Sequence, residues 1–215
     1  KAENVELECH NIVRDYYQDH KKIVFNGNGY SNEWKQEALR RGLPEFKDTV
    51  SALPQMVSEK SIALFAKQKI FTPSEIMSRL DIYLQTYSKQ INIEASIMVE
   101  MCRKHIIPSV IRYLGILSDS ITNQTALKLD TQVQYQLIQT IQHALNQSIE
   151  GTEYLHVCIA KALSYNDDPL TQAKIYRDEV VTQMQTLRSL VDLMETYTDT
   201  NYWPFPSYDD LLFRL

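Results

Sequence analysis

Glycine and proline are scarce in this sequence. Its 215 residues include 5 Gly and 7 Pro, which is too few for the many tight turns of an all-β fold. Gln, Leu, Ala, Ile and Glu are abundant instead, and these residues favour helix. Hydrophobic residues make up 44% of the chain, which is ordinary for a globular protein and too many for a disordered one. The composition therefore predicts an all-α fold.

Cysteine, positive charge and long apolar runs are also scarce. The three cysteines, Cys9, Cys102 and Cys158, are odd in number and far apart, which favours reduced thiols in a cytoplasmic protein over a disulfide framework. The net charge is −5, and basic residues form only local pairs such as Lys21-Lys22 and Arg40-Arg41, so a nucleic-acid surface is not expected. No apolar run reaches the roughly 18 residues of a membrane-spanning helix, and no secretory signal is present. We expect a cytoplasmic protein with neither nucleic acid nor membrane as a partner.

Three stretches have the apolar periodicity of long helices. The first begins with Thr72 as N-cap, Pro73 at the first helical position and Glu75 completing a capping box, and it continues to about residue 117. The second is predicted over residues 129–165, and the third begins after Pro169. The predicted buried face of the first comprises Leu80, Tyr83, Tyr87, Ile91, Ala95, Met98, Cys102, Ile106 and Tyr113. That of the second comprises Val133, Leu137, Ile141, Leu145, Ile149, Leu155, Ile159 and Leu163. That of the third comprises Ala173, Tyr176, Val180, Met184, Leu187, Val191 and Met194.

The connections between these helices predict their topology. Pro108 lacks a backbone donor and clashes with the preceding turn, so it predicts a kink near residues 104–108. The polar residues 118–125 are predicted to be the first loop, and residues 166–169 the second. Short loops between long helices imply antiparallel neighbours. We therefore predict an up-down bundle of three long helices with a shorter helical N-terminal segment.

The N-terminal segment is predicted to begin with a helix over residues 4–19, without a capping residue before it. Residues 26–31 follow, and their two Asn-Gly pairs predict a sharp turn with positive φ at Gly27 and Gly29. Ser31 is expected to cap a second helix, with Trp34 on its inner face, that ends at Arg41-Gly42. The alternative is a phosphate-binding loop, but the Lys-Ser/Thr of a P-loop and the spacing of G-x-G-x-x-G are both missing. Residues 46–68 read as two short helices broken near Leu53-Pro54.

The end of the chain is rich in aromatic residues and proline. Trp203 and Phe205 each precede a proline, which favours an extended backbone, and Tyr208 follows them. Such side chains are expected either to dock on this chain or to bind a partner. Residues 209–215 then resume as a short amphipathic turn.

Side chains capable of chemistry are few and scattered. Glu153 and His156 form a Glu-x-x-His step, which is half of a di-iron motif, but no second copy exists. Both are therefore interpreted as ordinary helix residues, the histidine partly buried. The remaining histidines, His10, His20, His105 and His143, have no mutual spacing that suggests a site, and no hydrolase or zinc-protease motif is present. We assign no catalytic, cofactor-binding or metal-binding residue, and the residues by themselves favour a helical interaction or accessory module.

Five strings nevertheless carry a family resemblance. The sequences HKKIVFNGNGYSNEW at 20–34, RRGLP at 40–44, YSKQINIEA at 87–95, YRDEVV at 176–181 and YWPFPSYDDLLF at 202–213 resemble type III glutamine synthetases, in the same order. The resemblance implies an ATP-dependent glutamate–ammonia ligase that uses Mg²⁺ or Mn²⁺, whose active site lies upstream of Lys1. It also implies contacts with the rest of the subunit and with neighbouring subunits of a ring-shaped homo-oligomer.

The resemblance divides the chain into three parts. Residues 1–43 are expected to be the end of the catalytic domain, 44–200 a helical C-terminal extension, and 201–215 an aromatic tail. A start at Lys1 without Met suggests a fragment of a larger protein. The alternative is a free-standing helical protein-interaction module without catalytic activity.

Overall fold

The computed structural model describes residues 4–212, which form helices and connecting loops without a β-strand. The helices are α1 (Val5–His20), α2 (Asn32–Arg40), α3 (Thr49–Ala52), α4 (Glu59–Lys67), α5 (Pro73–Met101), α6 (Ile107–Ala126), α7 (Gln132–Leu163), α8 (Pro169–Ile175), α9 (Thr182–Tyr197) and α10 (Tyr208–Leu211). A π-helical segment, Cys102–Ile106, joins α5 to α6, and a second, Tyr176–Val181, joins α8 to α9. Short 3-10 segments cover Lys21–Ile23 and Leu53–Val57. The all-α prediction is confirmed.

The described residues divide into two compact units, with the boundary between Ala52 and Leu53. The first unit contains α1 to α3 and the second contains α4 to α10. In the first unit, Asn4 caps α1, because its side chain accepts a hydrogen bond from the Leu7 backbone N–H (3.2 Å). The expectation that no cap precedes this helix was wrong, since an asparagine supplies the oxygen that an N-cap needs.

The second unit contains the predicted bundle. α5 and α6 form the first long rod, α7 the second, and α8 and α9 the third. α7 packs against α6 and α9, and α5 packs against α8. Short loops at 127–131 and 164–168 join the rods, so the up-down-up topology is confirmed. The buried core cluster consists of Ala95, Val99, Cys102, Ile106, Val110, Leu114, Ile141, Ala144, Leu145, Leu155, Cys158, Ile159, Ala162, Ile175, Tyr176, Val180, Leu187 and Met194.

The first rod starts as its sequence predicts. The Thr72 side chain accepts from the Glu75 backbone N–H (3.3 Å), and the Glu75 carboxylate accepts from the Thr72 backbone N–H (2.7 Å). These reciprocal bonds satisfy two backbone donors at the start of the helix. Pro73 occupies the first helical position, where its missing N–H costs nothing.

Pro108 changes the hydrogen bonding of the first rod in the turn before it. The Ile107 N–H donates to the Cys102 carbonyl, five residues back, instead of to residue 103. The wider turn accommodates a residue that has no N–H and whose ring crowds the preceding carbonyl. A π-helical segment thus lies where a kink was predicted, and the kink itself stays a prediction.

Residues 118–125, predicted to be the first loop, are helical and belong to α6. Their hydroxyl groups bond back along the helix, from Ser118 to the Leu114 carbonyl (2.8 Å) and from Thr122 to the Ser118 carbonyl (2.9 Å). Serine and threonine can satisfy their own polar groups in this way without ending a helix. The loop begins only after Ala126.

The buried face of α7 is made partly of small residues. Val133 is 75% exposed, and Ile149 and Leu163 are also exposed, although all three were predicted to be buried. Buried residues that the prediction omitted are Ala144, Ser148, Thr152, Cys158 and Ala162. The prediction followed the largest apolar side chains, whereas small residues let neighbouring helices approach closely. Tyr83, on the predicted face of the first helix, is likewise exposed.

Candidate functional site

The Glu153–His156 step does not form a metal site. The Glu153 carboxylate accepts two hydrogen bonds from the Arg103 guanidinium (2.8 and 3.1 Å), and His156 is exposed rather than partly buried. Across residues 4–212, no three His, Cys, Asp or Glu side chains lie close enough to bind a metal ion together. The residues present therefore do not fit the divalent ion that the family resemblance implies.

The Asn-Gly segment is ordered by its own side chains. Asn28 accepts from the Tyr30 backbone N–H (3.0 Å), and the Asn28 carbonyl accepts from the Ser31 N–H (3.0 Å). Two of the amides that a phosphate would need are therefore already used. Ser31 caps α2 as predicted, accepting from the Trp34 N–H (3.3 Å).

Gly27 and Gly29 do not have the positive φ that their sequence predicts. Among the described glycines, Gly42 alone adopts it (φ 69°), directly after α2. Gly27 is instead needed for space, because a Cβ there would lie 2.7 Å from the ring of Phe25. That ring packs on Trp34, with ring centroids 4.7 Å apart. Nothing crowds Gly29 within 4 Å.

A charged cluster holds the end of α2 against the preceding segment. Glu37 accepts hydrogen bonds from Arg40 and Arg41 (each 2.6 Å), which lowers the pKa of the Glu37 carboxyl to about 2. Arg41 also donates to the backbone carbonyls of Lys22 (3.1 Å) and Val24 (2.7 Å). Sequence reasoning treated Arg40-Arg41 only as a basic pair. The glutamate three and four residues earlier was the signal that could have identified the cluster.

The aromatic tail docks on the bundle. Trp203 and Phe205 are half-buried and pack against the core cluster, while the Tyr202 ring lies 5.7 Å from that of Tyr113. Docking on the chain itself is thus the arrangement adopted. Tyr208 takes no part, because it is 84% exposed. Ser207 caps α10, and residues 213–215 of the predicted terminal turn lie outside the described residues.

An apolar cavity of about 470 Å³ lies between α5, α9 and the tail. Its apolar lining includes Met98, Met101, Met184, Trp203 and Phe205. Polar side chains at the cavity are Glu94, Asp192, Glu195 and Arg188, and Arg188 bonds to Asp192 (3.2 Å). The cavity has the size and character of an apolar binding site, but it contains no arrangement of nucleophile and base.

The length and apolar character of each helix determine whether it could cross a membrane. Within residues 4–212, no helix combines the length and the apolar character that crossing a membrane requires.

Comparison with known proteins identifies the family. Residues 8–125 match the sequence model described as "Glutamine synthetase C-terminal domain". The chain is 33% identical over 207 residues to a glutamine synthetase of Butyrivibrio fibrisolvens, covering 95% of this chain and 29% of that protein. It is 29% identical over 220 residues to a type-3 glutamine synthetase of Dictyostelium discoideum, covering 99% of this chain and 30% of that protein. The chain thus spans less than a third of the length of these relatives. Because the family match extends over more than half of its residues, the chain belongs to the glutamine synthetase C-terminal domain family.

Proposed function

We propose that this chain is the C-terminal helical part of a glutamine synthetase and that it serves the structure and assembly of the subunit. The observation that carries the proposal is the family match together with near-complete coverage of the chain by two glutamine synthetases. The complete enzyme would ligate glutamate and ammonia at the expense of ATP. It would do so through an acyl phosphate, with Mg²⁺ or Mn²⁺ neutralising the transferring phosphoryl group.

The chemistry is proposed to lie in the remaining part of such a subunit. The described residues offer no cluster of metal-binding side chains, and the Asn-Gly segment uses its own amides. We therefore assign no catalytic, nucleotide-binding or metal-binding residue to this chain. Residues 1–43 would end the catalytic domain, 44–200 would form the helical extension and 201–215 its tail. The division between Ala52 and Leu53, a few residues after the first of these boundaries, supports a separate helical extension.

Helix α1 provides the contact that we propose with the rest of the subunit. It has no buried residue, although Val5, Ile12, Val13, Tyr16 and Tyr17 form an apolar stripe along it. An exposed apolar face of this length is typical of a surface that another part of a protein covers. The catalytic portion of the same subunit is the proposed cover, and neighbouring subunits of a ring are the further partners.

The proposal is tested by placing charge on this face in the complete subunit. Ile12→Asp combined with Tyr16→Asp is compared with Gln18→Asp, which lies on the opposite side of α1. In the 215-residue chain alone we expect no change in stability from the double variant, because both side chains are already exposed. In the complete subunit we expect it to lower thermal stability and disrupt the oligomer measured by light scattering, while Gln18→Asp does neither.

The same experiment can contradict the proposed contact. The double variant could leave the complete subunit's stability, assembly and ligase activity unchanged. That result would overturn the assignment of α1 as the contact with the catalytic portion.

A further inference from the structure

Two asparagines of the first unit each precede a glycine. Asn26-Gly27 and Asn28-Gly29 lie in the non-helical segment between α1 and α2, and all four residues are exposed. Asparagine is chemically labile before glycine, because no side chain on the glycine hinders attack of its nitrogen on the asparagine amide. The two pairs have the same chemistry and differ in their surroundings, so the structure distinguishes between them.

The side chain of Asn28 is held in position for such an attack. Its Oδ1 accepts a hydrogen bond from the Tyr30 backbone N–H (3.0 Å). A bond to the amide two residues further on folds the side chain over the intervening peptide, which here contains the nitrogen of Gly29. The same N–H stabilises the negative charge that develops on Oδ1 in the tetrahedral intermediate, as the donors of an oxyanion hole do.

The nitrogen of Gly29 is available to react. Among the described residues, its N–H finds no hydrogen-bond acceptor. The position is also uncrowded, since a Cβ built there would have no neighbour within 4 Å. The bond from Ser31 N to the Asn28 carbonyl (3.0 Å) meanwhile keeps the turn closed around the reacting groups.

Asn26 lacks these features. Its side-chain amide has no hydrogen-bond partner in the described part of the chain, so nothing fixes its orientation or polarises its carbonyl. The Phe25 ring occupies the space beside Gly27, where a Cβ would lie 2.7 Å from it. That ring is itself packed on Trp34, with centroids 4.7 Å apart. The peptide that Asn26 would have to react with is therefore crowded on one side.

We propose that Asn28 is a site of spontaneous deamidation and that the folded structure makes it react faster than Asn26. The Gly29 nitrogen loses its proton to water and attacks Cγ of Asn28, which forms a new C–N bond. The Cγ–Nδ2 bond then breaks, and the amide nitrogen takes up a proton from water and leaves as ammonia. Water opens the cyclic imide at either carbonyl and yields aspartate or isoaspartate at position 28. The reaction consumes one water and releases one ammonia, without oxidation or reduction.

Both products change the segment that precedes α2. Each carries a negative charge where asparagine is neutral. Isoaspartate also routes the backbone through the side-chain carbon, which displaces the carbonyl that accepts from the Ser31 N–H. Because Ser31 caps α2, deamidation acts on the start of this helix.

The test is incubation of the folded 215-residue chain in mildly alkaline buffer, with peptide mass spectrometry to follow each asparagine separately. We expect Asn28 to deamidate about two- to tenfold faster than Asn26, which is the effect of one hydrogen bond on a rate. In the chain unfolded by urea, neither asparagine has a fixed environment, and we expect the two rates to become nearly equal.

Gly29→Ala is the matched variant, because the new Cβ has open space and the fold should be kept. It should bring the Asn28 rate below the Asn26 rate, since the attacking nitrogen now belongs to a residue with a side chain. Gly115→Ala, which also has open space on α6, should change neither rate. The proposal is overturned if Asn26 reacts as fast as Asn28 in the folded chain, if unfolding leaves the ratio of the rates unchanged, or if Gly29→Ala deamidates like the wild type.

Discussion

Gly27 and Phe25 illustrate how a single contact determines the role of a glycine. A Cβ at position 27 would lie 2.7 and 2.9 Å from two carbons of the Phe25 ring, and that ring packs on Trp34. A side chain at Gly27 must therefore push the ring away from the indole. Gly29 has open space, and neither glycine is held at positive φ.

We accordingly predict different outcomes for two similar substitutions. Gly27→Ala should lower the free energy of unfolding of the first unit by about 1 kcal/mol, as overpacking does. Gly29→Ala should change it by less than about 0.5 kcal/mol. Urea unfolding followed by Trp34 fluorescence, in a Trp203→Phe background that leaves one tryptophan, measures both. Equal effects would contradict the steric role of Gly27.

Lysine occupies the left-handed position after two helices. Lys69 (φ 54°) follows α4 and Lys128 (φ 58°) follows α6. At Lys128 the backbone bonds run from Leu129 N to the Gln124 carbonyl (3.1 Å) and from Lys128 N to the Thr125 carbonyl (2.9 Å). This is the Schellman pattern, in which glycine is the usual residue because it has no Cβ to strain.

Replacing such a lysine by glycine should therefore stabilise the bundle. Lys128→Gly is expected to raise the free energy of unfolding by about 0.5–1 kcal/mol. The matched control is Lys174→Gly, at an exposed position of α8, which should lower the same quantity by about 1 kcal/mol. Chemical denaturation followed by circular dichroism measures both, and a destabilising Lys128→Gly would show that the lysine side chain contributes more than its backbone strain costs.

At the scale of elements, α2 is anchored by the interaction of Glu37 with two arginines. The ordinary pKa of this carboxyl is 4.5, and in the folded chain it is about 2. A carboxyl whose pKa is lowered by folding stabilises the native state above its unfolded pKa, and this contribution disappears as the pH falls toward its folded pKa. The anchoring should therefore weaken between about pH 4.5 and pH 2.

The corresponding prediction concerns Glu37→Gln. At pH 7 this variant should be less stable than the wild type in the first unit, and the difference should shrink below about pH 4.5 and be lost as the pH falls through about 2. Glu33→Gln, at an exposed position of the same helix, is the control for removing a carboxylate that takes no part in the hydrogen bonds to Arg40 and Arg41. Urea unfolding followed by Trp34 fluorescence at a series of pH values gives the measurement. A difference as large at pH 2 as at pH 7 would refute the role of the Glu37 charge.

The tail is an element whose docking depends on two rings. Trp203→Ala and Phe205→Ala should each lower the stability of the bundle by about 1–2 kcal/mol, because each ring is half-buried against the core. Tyr208→Ala is the control and should have little effect, since its ring is exposed. Thermal unfolding of the 215-residue chain tests this. If the Trp203 and Phe205 variants unfolded like Tyr208→Ala, the tail would not be docked in solution.

At the scale of the whole molecule, local rules predicted the framework well. The capping box at Thr72, the cap at Ser31 and the apolar repeat of the third rod depend on neighbours along the chain, so the sequence carries them directly. The burial of Thr152 and the exposure of Val133 depend on which helices meet and how closely. The apolar cavity arises where side chains distant in sequence come together, and the periodicity of one helix does not reveal it.

We propose that this chain is the helical C-terminal part of a glutamine synthetase and that ligation requires the rest of the subunit. The decisive experiment measures phosphate release from ATP by the purified 215-residue chain, with and without glutamate and ammonia, beside the complete subunit that contains it. We predict glutamate- and ammonia-dependent release by the complete subunit and none by the chain. Glutamate- and ammonia-dependent phosphate release by the chain alone would contradict the proposal. Failure of the intact, assembled complete subunit to release phosphate in this way would also contradict it.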